Sequence, residues 1–246
     1  MASVNTKGQL SGGIGSVYYR VLNGKPILQT KPGKGTKQST GTKVSASDFG
    51  IASSIAKNIR LFLFPLLQNM ADPYMYTRFT PRIFKAIADG PKQTENGHTL
   101  LDGDLSGLNG FQFNINSIFS NYCSLQPLLN REDDGSLSIT LPELSNRDSI
   151  TTVEKATHCD ICYLVTAFDS EINIANYQDV FRTTIELKNS NNTIPVQQWV
   201  TPPLAAGQLI IVTAAIFYFR QDKLMGTVPL NSKQLHPCEI VAVFKS

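Results

Sequence analysis

The densest group of chemistry-bearing side chains is His158-Cys159-Asp160-Ile161-Cys162, with His236 and Cys238 further along the chain. A Cys-x-x-Cys pair with two more His/Cys donors could complete a tetrahedral zinc site. The surrounding run, HCDICYLVTAF, reads as a β-strand. On a strand, side chains three apart point to opposite faces, and a zinc knuckle needs a turn between its ligands that this run lacks. Buried or edge cysteines are the favoured reading over metal or redox use. No metal and no cofactor is expected.

Other catalytic patterns are equally thin. The histidines are His98, His158 and His236, and no G-x-S-x-G elbow accompanies them. Glu132-Asp133-Asp134 and the Asp102/Asp104 pair sit beside glycines in turn-like stretches. Solvated turns are favoured there over a glycosidase pair or a calcium loop. DGDLSG (102–107) lacks the downstream bidentate Glu of a calcium loop. The glycines of LSGGIGS and KPGKGTK lack the Gly-Lys-Ser/Thr ending of a phosphate loop. The chain therefore reads as non-enzymatic.

The chain has 246 residues, 41% of them hydrophobic, enough for a sizeable core. Its apolar runs, Leu61–Leu67 and Leu209–Phe219, fall short of the ~20 residues of a membrane span. The first residues lack the apolar stretch of a secretory leader. Reduced cysteines are expected, and a place in the cytoplasm or in an assembled particle or filament released from the cell. Charge is unevenly spread. Residues 1–60 carry nine cations and one acid, a net of +8, and the rest carries 13 cations and 18 acids, a net of −5.

The basic part has its own pattern. Val17, Tyr19 and Val21 alternate before Asn23-Gly24, the strongest short hairpin signal, and Ile27 and Leu28 lie in the return strand. Pro26 removes a ladder donor and points to an edge strand. The Gly/Ser/Lys-rich flanks, SGGIGS and KPGKGTKQSTGTK, read as flexible connectors. A two-stranded hairpin is marginal alone, so Val17, Tyr18, Tyr19, Arg20, Val21, Ile27, Leu28, Lys31, Lys34 and Lys37 are the candidate docking residues. Three partners compete. The arm could add to a sheet edge of a neighbouring subunit, as in a homo-oligomer or with other structural proteins. It could bind nucleic acid through its cations, with Tyr18 and Tyr19 stacking on bases. It could also fold back on its own body.

Ser45 to Asp48 resembles a capping box opening a helix over 46–64, ended or kinked by Pro65. A short helix is expected at 81–88, with Thr80 as cap and Pro81 at its first position. Strands are expected at 111–115, 137–142, 160–168, 180–188, 195–200, 208–219, 224–229 and 238–244, the 208–219 strand being central and buried on both faces. The expected architecture is mainly β: an immunoglobulin-like β-sandwich body with an N-terminal β-hairpin arm and one long plus one short α-helix. The expected division is arm and linkers 1–44, helical segment and loop 45–110, and body 111–246. Trp199 with Gln197 could form a sugar-binding platform, although a single Trp is more often in the core.

GGIGSVYYRVLNGKPILQTKP (12–32), FGIASSIAKNIRLFLFPLL (49–67) and AAGQLIIVTAAIFYF (205–219) together resemble an uncharacterised family of proteins of about this length from Bacteroidota. The resemblance implies a Gly-rich basic hairpin, a helix and C-terminal sheet strands, and it brings no activity and no catalytic residues. The expected function is a structural protein whose basic arm docks on a neighbouring subunit to build an oligomer, filament or phage-like particle. A carbohydrate-binding module and a nucleic-acid-binding protein are the alternatives.

Overall fold

The computed structural model describes residues 2–6, 8–22, 24–31, 39–90, 100–143, 149–169, 174–187 and 193–246. The chain divides into two compact units, Met1–Val44 and Ser45–Ser246. It is mainly β, with 42% strand and 22% helix.

The first unit is a four-stranded antiparallel meander: β1 (Ser3–Val4), β2 (Leu10–Ile14), β3 (Val17–Leu22) and β4 (Lys25–Thr30), in that order. Leu22 pairs with Lys25, so residues 23–24 form a two-residue loop, and Gly24 takes the positive φ of 77° that such a loop demands. Asn23 lies outside the described residues, as does the linker at 32–38. SGGIGS is not a connector, as its composition suggested. It supplies β2 and the turn into β3, Gly12 pairing with Tyr19 and Gly13 with Tyr18. The reason is local: Lys31 lies across Gly13, its Nζ donating to the Gly15 carbonyl at 2.8 Å, and a Cβ on Gly13 would stand 2.7 Å from the Lys31 Cε. The expected hairpin is thus part of a larger sheet.

α1 (Thr40–Phe62), whose first five residues belong to the first unit and the rest to the second, starts six residues earlier than the expected 46. Ser39 caps it, its Oγ accepting the Thr42 N–H at 3.2 Å, and Ser45 and Asp48 lie inside the helix. Pro65 falls in a short following helix, α2 (Phe64–Leu67). The next helix, α3 (Met75–Ala88), starts six residues before the expected 81–88 and contains Pro81. Its start is set by Asp72 rather than Thr80: Asp72 Oδ1 accepts the Tyr74 N–H at 2.8 Å, and the Asp72 carbonyl accepts that of Met75 at 3.1 Å. Ala52, Ile55, Ala56 and Ile59 on α1, and Met75, Phe79, Ile83 and Ile87 on α3, recur at three- and four-residue spacing and are buried.

Two antiparallel sheets complete the unit. The larger joins β11 (Gly226–Pro229), β10 (Leu209–Asp222), β7 (His158–Asp169) and β8 (Ile174–Glu186), with β12 (Cys238–Lys245) also paired to β10. The smaller has the order β5 (Leu128–Arg131), β6 (Leu137–Leu141), β9 (Gln197–Val200). β10 is buried on both faces. Leu209, Ile211, Ala215 and Phe217 meet the helices, and Ile210, Val212, Ala214, Ile216 and Tyr218 fill the core between the sheets. The body therefore has three layers, with helices on one face of the large sheet and the small sheet on the other.

The expected strand at 111–115 is reduced to a single bridge, Gln112 with Glu239. Beyond it the chain is drawn to the start of α3: the Phe113 carbonyl accepts the Asp72 N–H, and Ile115 N–H donates to Asp72 Oδ2 at 3.2 Å. Those groups are then not available for a ladder. β5, by contrast, lies outside every expected strand.

Candidate docking surface and buried polar groups

Side chains directly opposite each other in an antiparallel pair share a face. The register of the first unit pairs Val4 with Leu10, Ile14 with Val17, Tyr19 with Leu28 and Val21 with Pro26. Alternation along β2 and β3 puts all eight on one face of the sheet. Tyr18, Arg20, Leu22, Lys25, Ile27 and Gln29 share the other. No described residue of this unit is buried: Leu28 is 58% exposed, Ile14 51%. Its described strands make a single layer with one almost wholly apolar face, and its described residues form no core of their own.

The ten expected docking residues are thus split. Val17, Tyr19, Val21 and Leu28 lie on the apolar face, and Tyr18, Arg20 and Ile27 on the other. Lys31 Nζ is bonded to the Gly15 carbonyl. Lys34 and Lys37 lie outside the described residues. The Lys31 N–H donates to the Ser16 carbonyl at 2.8 Å. The odd-numbered residues of β4 therefore bond towards β3, and the missing N–H of Pro26 falls on the outer edge of the sheet.

The body's polar groups are mostly satisfied internally. Cys159 belongs to the core between the sheets, and Cys162 and Cys238 to the core beneath the helices. All four cysteines are buried, and burial pushes each thiol up, Cys123 to about 11 and Cys162 to about 12, so none is primed as a thiolate nucleophile. His158 stacks on Phe219 at 5.1 Å. His236 is fully buried: its Nε2 is 2.8 Å from the Leu66 carbonyl and its Nδ1 3.0 Å from Asn231 Nδ2. Those partners assign a neutral imidazole protonated on Nε2. Burial lowers its pKa from 6.5 to about 4. His98 lies outside the described residues.

The carboxylate pairs form turns. Asp134 Oδ1 accepts the Ser136 N–H at 2.8 Å, and Glu132 Oε1 accepts the Ser138 hydroxyl at 2.6 Å. Asp104 Oδ1 accepts the Ser106 N–H at 2.9 Å, and the Asp104 N–H donates to the Ala86 carbonyl in the last turn of α3. Asp160 is buried on the helix side of β7, where the Thr184 hydroxyl (2.6 Å) and the Arg182 guanidinium (3.2 Å) of β8 meet it. Trp199 is half-buried and packs inward, its ring 5.9 Å from Phe181 and 6.2 Å from Tyr163. The Gln197 side chain donates to the Pro195 carbonyl.

One feature went unread in the sequence. Between β12 and β5 opens a cleft of about 470 Å³ with a mixed lining: the polar side chains of Ser120, Gln126 and Glu239 beside the apolar ones of Leu125, Leu129, Val241 and Phe244. Glu239 is the one charged side chain among its described lining residues. Its carboxylate accepts the Gln112 amide, and burial raises its pKa against the opposing effect of that bond. The only available signal was an acid inside an otherwise apolar strand, CEIVAVF.

Among the described residues, no helix is long and apolar enough to cross a membrane, and no three His, Cys, Asp or Glu side chains are grouped to hold a metal ion. No protein-family description, no curated protein and no solved structure matches the chain.

Proposed function

We propose that the chain is a non-enzymatic assembly protein whose N-terminal strands β1–β4 form a docking sheet completed by the body of a second copy. One observation carries this reading: eight apolar side chains share one face of a single-layer sheet in which no described residue is buried. A sheet with one apolar face is completed by an element that covers that face. Charge selects the partner. Residues 1–44 contain seven cations and no acid, while the remainder of the chain contains 15 cations and 19 acids, a net of −4. A basic docking element and an acidic receiver on the same chain favour contact between copies. Such a head-to-tail contact is heterologous and builds rings, filaments or particle shells.

The test is light scattering after size exclusion, with negative-stain microscopy, on the full chain and on a chain lacking residues 1–43. Assemblies from the full chain and monomers from the truncation are expected. Monomers from both would overturn the reading, and a full chain that instead bound nucleic acid with steep salt dependence would replace it.

A further inference from the structure

We propose that the cleft between β12 and β5 receives the hairpin tip of a second copy's arm, the Lys25 ammonium meeting the Glu239 carboxylate while Leu22 lies against Leu125, Leu129 and Phe244 of the mixed lining. This rests on the assembly reading above and adds to it a contact made at the tip by the face opposite the apolar one. The cleft has the size of an ordinary ligand site, roughly 300–1,000 Å³. Glu239 has Gln112 as its one hydrogen-bond partner among the described residues. A carboxylate drawn partly out of water needs a cation or further donors to offset its lost hydration. The raised pKa of Glu239 expresses the same need.

The hairpin tip has complementary chemistry. Leu22 and Lys25 are cross-strand partners beside the two-residue loop, share one face and are exposed. Arg20 and Ile27, the next pair on that face, repeat the combination of cation and apolar side chain. The outward position of Pro26 favours entry by side chains over addition of β4 to another strand.

A charge-swap series on the full chain, read by sedimentation velocity, tests this. Lys25→Glu and Glu239→Lys are each expected to weaken association about tenfold or more, and the double variant to recover it. Glu239→Gln, which keeps a hydrogen-bonding partner for Gln112, is expected to weaken association while leaving the thermal midpoint close to that of the unmodified chain. If the unmodified chain assembles and Glu239→Gln leaves assembly unchanged, or the swap fails to recover it, the cleft is not the receiver and the assembly reading stands. If the unmodified chain is monomeric at every concentration, both fall.

Discussion

His236 Nε2 stands 2.8 Å from the carbonyl oxygen of Leu66, so a buried imidazole joins the segment before β12 to the end of α2 across 170 positions of sequence. The bond needs a proton on Nε2, and the Asn231 amide donating to Nδ1 needs that nitrogen bare, so the ring is neutral. The folded-state pKa, about 4, lies below the ordinary value of 6.5. Between these values the unfolded chain takes up a proton that the folded one refuses. Stability is therefore full above pH 6.5 and falls as the pH drops towards 4. Urea titrations at neutral pH and at about pH 4.5 are expected to show a loss of roughly 2 to 3 kcal/mol from this residue. That part of the pH slope should disappear in His236→Gln, whatever the variant's stability at neutral pH.

Gly103 is a second structural necessity. A Cβ there would stand 2.0 Å from the Ala86 carbonyl oxygen and 2.8 Å from its carbon, so the turn that closes on the end of α3 has no room for a side chain. Gly103→Ala is expected to cost about 1–3 kcal/mol. Gly107→Ala, four residues on and in open space, should lie within about 0.5 kcal/mol of the unmodified chain. Paired thermal melts separate the two; equal melting points would refute the close contact.

The two faces of the N-terminal sheet should respond differently to the same charge. Leu28→Asp puts a carboxylate on the apolar face, and Ser11→Asp puts one on the other. A buried Leu is worth about 1.5–3 kcal/mol, so Leu28→Asp should weaken association roughly 10- to 100-fold, and Ser11→Asp far less. Concentration-dependent light scattering is the measurement. Equal effects would mean that the apolar face is not the contact.

The legible parts of this fold are those in which pattern and burial coincide. Leu209 to Phe219 is an unbroken apolar run, and β10 is buried on both faces. Cys159 and Cys162 are three apart on a strand, and they enter different cores. Reading failed where a local signal competed with a distant partner. Pro81 looked like a helix start, yet Met75 and Phe79 already carry the apolar spacing, and the true start is set by Asp72 with its partners in 113–115. Gly12 and Gly13 looked like linker because strand propensity resides in side chains, whereas β2 is held by backbone pairing to β3 and by Lys31 lying over Gly13. The cleft was invisible for a similar reason: Gln112 and Glu239 are 127 residues apart, and no local window contains both.

Pro26 on the outer edge of β4 has a consequence for growth. At that point the strand offers an incoming chain no N–H, and at the far side of the sheet β1 is only two residues long. Neither border is a good template for backbone templating, the route by which flat sheets propagate into amyloid. In the proposed docking, recognition by this sheet would be left to its faces and its tip, which saturate once covered, so growth driven by the arm would be limited by the number of receiving bodies.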